Sequence, residues 1–141
     1  MTKYDSIDLV KDLAELSADD IDTIAEKYVK ETNLKSVKVN QIRNIFTMIA
    51  KQRNDFKKIR RLDSDKQKKQ ILEQIKREII LLKPMLAYAA GRQKDVIVYQ
   101  EFMRKTIDKT KDSDNIEKAI NNFFILSEAV LAYHKFYGGK D

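Results

Sequence analysis

The sequence predicts an all-α fold, a compact single-domain bundle of about five helices. Three observations lead there. Apolar residues recur at helical spacing along most of the 141-residue chain. Turn chemistry is scarce, with three glycines and one proline in total, too little for the tight turns of a β fold. Hydroxyl and acidic residues stand where the periodic segments begin, as helix N-caps require.

The first segment with any helical character covers about residues 6–15, and its pattern is weak. A better helix opens at Ser17, where "SADD" sets Asp20 three residues after a hydroxyl cap and puts acids near the positive end of the helix dipole. The next is "VKVNQIRNIFTMIAKQRNDFKKIRRL", with Ile42, Ile45, Phe46, Ile49, Phe56 and Ile59 forming a stripe that faces a core. A third opens at Ser64 and runs through "LLKPMLAYAAGR". Pro84 lies inside it, and its ring clashes with the carbonyl of Ile80, so a kink or break is expected there. A fourth covers "DVIVYQEFMRKTIDK". The fifth is expected to open at Asp114, with Glu117 as capping-box partner, and to stop at Gly138-Gly139. No repeat, low-complexity tract or Pro/Gly-rich linker divides the chain, so residues 1–141 are expected to form one domain.

Charge is distributed unevenly. The net charge is +6, but residues 1–34 carry four basic and nine acidic side chains, a balance of −5. Residues 35–61 carry nine basic side chains against Asp55 alone, +8. A local field of that sign attracts a polyanion or an acidic surface, over roughly 8 Å at physiological salt. Cysteine is absent, which excludes disulfides and thiolate metal sites and fits a reducing cytoplasm. The N-terminal stretch reads neither as a signal peptide nor as a membrane span.

Catalysis finds few residues to use. The single histidine, His134, borders the apolar stripe three and four residues after Leu131 and Val130. A ribonuclease built on it competes with a plainer reading, a partly buried imidazole at a helix end. No phosphate-binding glycine loop, dinucleotide fingerprint or H-x-x-x-H pair occurs. Asp19, Asp20 and Asp22 lack calcium-loop spacing and are expected to serve the helix start, so neither metal nor cofactor is predicted. No helix-turn-helix spacing points to DNA. The 35–61 segment differs. On a helix, Arg43, Thr47, Asn54, Lys57 and Arg61 fall near one line, and Asn44, Lys51 and Lys58 near the next, both away from the apolar stripe. Cations and amides on one face suit phosphate oxygens. A solvated helix face is the alternative.

Three stretches are less generic: "QIRNIF" (41–46), "LLKPMLAYAAGR" (81–92) and "LAYHKFYGGKD" (131–141). In order and approximate spacing they resemble the small subunit of the type III-A CRISPR (Csm) effector complex, over about residues 35–141; residues 1–34 match nothing recognisable. The resemblance implies an RNA-binding subunit without nuclease activity, several copies of which stack into a filament along paired guide RNA and target RNA. It also implies contact with other Csm subunits, including the repeated backbone subunit. Its basic positions fall on Arg43, Lys83 and Arg92, with Lys83 standing where some relatives have arginine; Lys51 and Arg53 join them from the basic helix. A purely structural filament subunit, joined head to tail through its −5 and +8 segments, is the competing expectation.

Overall fold

Helix α6 (Ile116–Tyr137) runs through the middle, and the other elements pack around it. The computed structural model describes residues 2–138. In chain order the remaining helices are α1 (Ala18–Glu31), α2 (Val39–Lys57), α3 (Asp65–Ile80), α4 (Leu82–Arg92) and α5 (Ile97–Lys111). Helices α1, α2 and α5 pack directly on α6; α3 lies against α2 and α5; α4 packs on α5 and α3. Counting α3 and α4 as one broken rod recovers the five expected helices, and no strand occurs among the described residues. One continuous apolar core joins residues from Ile7 to Val130.

Local chemistry explains most helix starts. Ser17 and Asp20 form a reciprocal capping box at α1, and Ser64 caps α3 through the amide of Gln67. The α3–α4 break falls at Leu81, directly after the residue whose carbonyl the Pro84 ring would strike. Pro84 then occupies the first turn of α4, where its missing N–H removes no helical bond. The cap of α6 differs from expectation. Asn115, not Asp114, accepts from the amide of Lys118; an amide side chain one residue later offers the same oxygen to the first turn. At the far end Gly138 has a φ of 179°, which is extended backbone. Its need is steric, because a Cβ there would lie 2.8 Å from the carbonyl oxygen of Lys35. Gly139 lies outside the described residues.

The weak helix expected over residues 6–15 is two single 3₁₀ turns, Ile7–Leu9 and Leu13–Glu15. Ser6 and Asp12 cap them by accepting from the amides of Asp8 and Ala14, in competition with helix formation. Their carbonyls take further bonds from the other end of the chain, those of Ile7 and Leu13 in addition to the turn's own backbone bond. Lys109 Nζ donates to Ile7 and Val10 at 2.7 and 2.6 Å. Asn122 Nδ2 donates to Leu13 and Leu16 at 2.9 and 3.2 Å. These long-range bonds stabilise an irregular backbone that no local pattern would predict.

Asp20 joins this segment to α1. Besides capping, its carboxylate accepts from the amides of Lys3, Tyr4 and Ser17 at 2.6, 3.0 and 3.0 Å. Burial opposes its charge, but the amides of Ser17, Tyr4 and Lys3 win and hold its pKa at about 2. A folded-state pKa below the unfolded value of 3.8 gives stability that is present above that value and lost as pH falls toward about 2. Asp20→Ala is expected to cost about 2 kcal/mol at neutral pH, through loss of the cap and stranded amides. Urea unfolding across pH checks this: the gap between wild type and variant should begin to narrow as pH falls below about 4 and keep narrowing toward about 2.

Candidate nucleic-acid interface

Helix α2 carries the basic segment, and its position is fixed at both ends. Before it, the chain leaves α1 through a 3₁₀ turn, Asn33–Ser36, capped by Thr32. The carbonyl of Val37 then lies 2.7 Å from His134 Nε2, so the neutral imidazole donates to it. His134 is fully buried and thus more enclosed than the sequence implied. Burial lowers its pKa against the opposing pull of the Val37 and Leu34 carbonyls. At the other end, the Arg53 guanidinium pairs with Glu128 of α6 and lies 5.9 Å from the Phe46 ring centroid. These two ties set the rotation of α2 about its axis.

With that rotation, Val39, Ile42, Ile45, Ile49 and Gln52 face the interior. Asn40, Arg43, Asn44, Thr47, Lys51, Asn54, Lys58 and Arg61 are all exposed, and helical spacing gathers them on the opposite side. Arg43 and Lys51 stand two turns apart, about 12 Å along the axis. Neither has an ion-pair partner among the described residues, nor do Lys35, Lys38, Lys57, Arg60 and Arg61. Lys58 is 3.7 Å from Asp55. The Thr47 hydroxyl donates to the Arg43 carbonyl at 3.0 Å, so its proton is committed to its own helix.

The five basic positions singled out from sequence do not form one site. Arg43 and Lys51 share the open face of α2, whereas Arg53 is drawn inward to Glu128. Lys83 Nζ lies 2.6 Å from Asp108 and ties α4 to α5. Arg92 is exposed at the end of α4, with its guanidinium 5.9 Å from the Tyr88 ring. Lys83 and Arg92 stand on α4, which packs on α5 and α3, whereas the α2 face belongs to a helix packed on α6 and α3.

Other cations join α2 that sequence reasoning did not single out. A shallow groove of about 350 Å³ between α2 and α6 is lined by Val39, Arg43, Phe46, Glu128, Leu131 and Lys135, so Lys135 extends the Arg43 side onto α6. Further along, a groove of about 740 Å³ has Phe56, Phe124 and Ile125 in its walls, with Lys57, Arg60 and Lys118 around it beside the carboxylates of Glu117 and Glu128. Lys135 stands in the last turn of α6, exposed one turn after Leu131, and its place beside Arg43 depends on how α6 packs on α2. Among the described residues no group of three or more His, Cys, Asp or Glu side chains could hold a metal. No described helix is long and apolar enough to cross a membrane.

The arrangement defines a class: a small helical protein that presents a cationic helix face from a core of apolar contacts. The particular family follows from comparison, since the Csm2 Type III-A family model matches residues 15–140 and the chain belongs to that family. It is therefore a small subunit of the type III-A CRISPR effector complex, and membership implies assembly with other Csm subunits. The match begins at residue 15 and so includes α1, which the sequence reading had left outside the resemblance. No curated protein and no solved structure gives a match.

The His134 clamp makes stability depend on pH. A histidine whose pKa is lower folded than unfolded contributes stability that is complete above its unfolded value of 6.5 and declines as pH falls. Thermal melts between about pH 7 and 5 should show wild type losing stability more steeply than His134→Gln, whose amide keeps a donor but does not titrate. Parallel slopes would contradict the clamp.

Proposed function

We propose that this chain is a non-catalytic, sequence-independent RNA-binding subunit, holding the phosphate backbone of guide RNA paired with target RNA through the open face of α2. Base pairing between the strands supplies specificity, and the protein supplies charge and position. Several copies stack along the duplex beside the repeated backbone subunit, in the cytoplasm, as part of antiviral defence. Arg43 and Lys51 make the principal contacts, and Lys135 adds to the Arg43 side. Arg92 and Lys83 lie elsewhere, so any RNA contact they make is a second one, and Lys83 must release Asp108 to make it.

The observation that carries this reading is how the two charged regions are used. Acids of the N-terminal region are largely committed within the fold: Asp5 to Lys27, Asp8 to Lys105, Glu15 to Tyr4, Asp22 to Tyr133 and Glu26 to Tyr137, with Asp20 accepting backbone amides. The cations of α2 are mostly uncommitted. A head-to-tail filament held only by charge needs both surfaces free, which weakens the purely structural alternative. Catalysis by His134 is opposed by its burial and its bond to Val37, which leave the imidazole no solvent-facing nitrogen.

The test is affinity of the assembled complex for target RNA across a salt series. Arg43→Glu combined with Lys51→Glu should weaken binding about tenfold or more, and make the log–log salt slope shallower by about 1.5 for two lost phosphate contacts. Helix content should stay unchanged, because both side chains point to solvent. Wild-type affinity and slope in the double variant would favour the structural alternative. RNA incubated with purified chain, wild type beside His134→Ala, should remain intact in both.

A further inference from the structure

Helix α4 is apolar on the side that faces away from the bundle. Leu82, Leu86 and Ala90 are buried against the core. The opposite side presents Leu81, Met85 and Tyr88, which are 54, 45 and 68% exposed, together with exposed Pro84. Of the seven large exposed apolar side chains among the described residues, these three fall within eight consecutive positions. A helix apolar all round is ordinarily covered on every side. Here one side has no cover, and clustered exposed apolar residues mark a contact surface.

Two further features shape that surface. Gly91 is exposed in the last turn, and a Cβ added there would meet nothing within 4 Å, so packing inside this chain does not demand glycine. Glycine inside a helix weakens it, and here it leaves the surface low enough for another backbone to come close. Arginines bracket the stripe. Arg77, in the last turn of α3, lies one turn before Leu81, whose amide donates to its carbonyl, and Arg92 lies one turn after Tyr88 at the end of α4. Both are exposed and without an ion-pair partner among the described residues. Asp95, near Arg92, is offset by Lys94.

We propose that the outer face of α4 docks onto a different protein subunit, through an apolar patch on that subunit flanked at both ends by carboxylates. Pairing of two α4 faces from two copies is disfavoured by charge: antiparallel packing sets Arg92 against Arg77, and parallel packing sets each arginine against itself. Acidic groups at both ends of the partner satisfy both cations. RNA fits less well. Tyr88 with Arg92 could hold one base, but Leu81 and Met85 have no π face to stack on, and a phosphate backbone gains nothing from them. This inference rests on family membership and is independent of RNA binding by α2.

A photo-activated cross-linker in place of Tyr88, in the effector complex reconstituted with all its subunits and guide RNA, tests it directly. The expected product joins this chain to a subunit of different mass. Cross-links only to a second copy, only to RNA, or none in a complex that contains the chain would each overturn the proposal. Met85→Glu provides the second readout. Its incorporation into affinity-purified complex should fall about tenfold or more, because a charge would be buried in an apolar contact. The isolated variant's melting temperature and its affinity for a short single-stranded RNA should match wild type. Undiminished incorporation, or a loss of RNA affinity in the isolated chain, contradicts the docking face.

Discussion

Two buried polar side chains on α6, Asn122 and His134, hold the parts of the backbone that helices do not. Asn122 binds the carbonyls of Leu13 and Leu16, and His134 binds that of Val37. All three carbonyls lie in short 3₁₀ turns or at their ends, where unpaired oxygen in the interior would be costly. Lys109 does the same for Ile7 and Val10 from α5. These bonds join sequence positions about a hundred residues apart, so the N-terminal segment and the approach to α2 take their shape only when α5 and α6 are in place. The Val37 bond lies just ahead of α2, and Arg53 with Glu128 secures that helix further along. Between them they decide which side chains of α2 reach solvent.

Function follows from that choice. The same helix, rotated by a third of a turn, would bury Arg43 or expose Ile42. As packed, its apolar stripe fills the core against α6 and α3, and its cations face outward with few carboxylates nearby. Repulsion among those cations weakens the free chain somewhat and is relieved when phosphates approach. The opposite sign is handled differently: most acids of the N-terminal region are engaged with tyrosines, lysines or amides of the same chain. A protein that spends its negative charge internally and leaves its positive charge open is suited to a polyanion.

How much of this could be read from sequence depends on the range of the interaction. The α1 and α3 starts were legible because Ser17 and Ser64 cap within three residues, and the break near Pro84 was legible because its cause is local. The exposed face of α2 was legible too, since helical period alone separates Arg43 and Lys51 from Ile42, Ile45 and Ile49. The N-terminal 3₁₀ turns were not, because Lys109 and Asn122 act from far along the chain. For the same reason sequence could not separate Arg53 and Lys83 from their neighbours: Glu128 and Asp108, which engage them, are distant in sequence. Lys135 has the reverse history, an ordinary surface lysine until α6 places it beside Arg43.

The most direct measurement is lysine footprinting of the assembled, target-loaded complex, with and without RNase digestion. The exposed Lys69 of α3 serves as a reference. If α2 holds RNA, Lys51 should be protected in the loaded complex and recover on digestion, while Lys69 changes little. Lys51 modified as readily as Lys69 in the intact complex, or protection that persists after the RNA is removed, would contradict an RNA-facing α2.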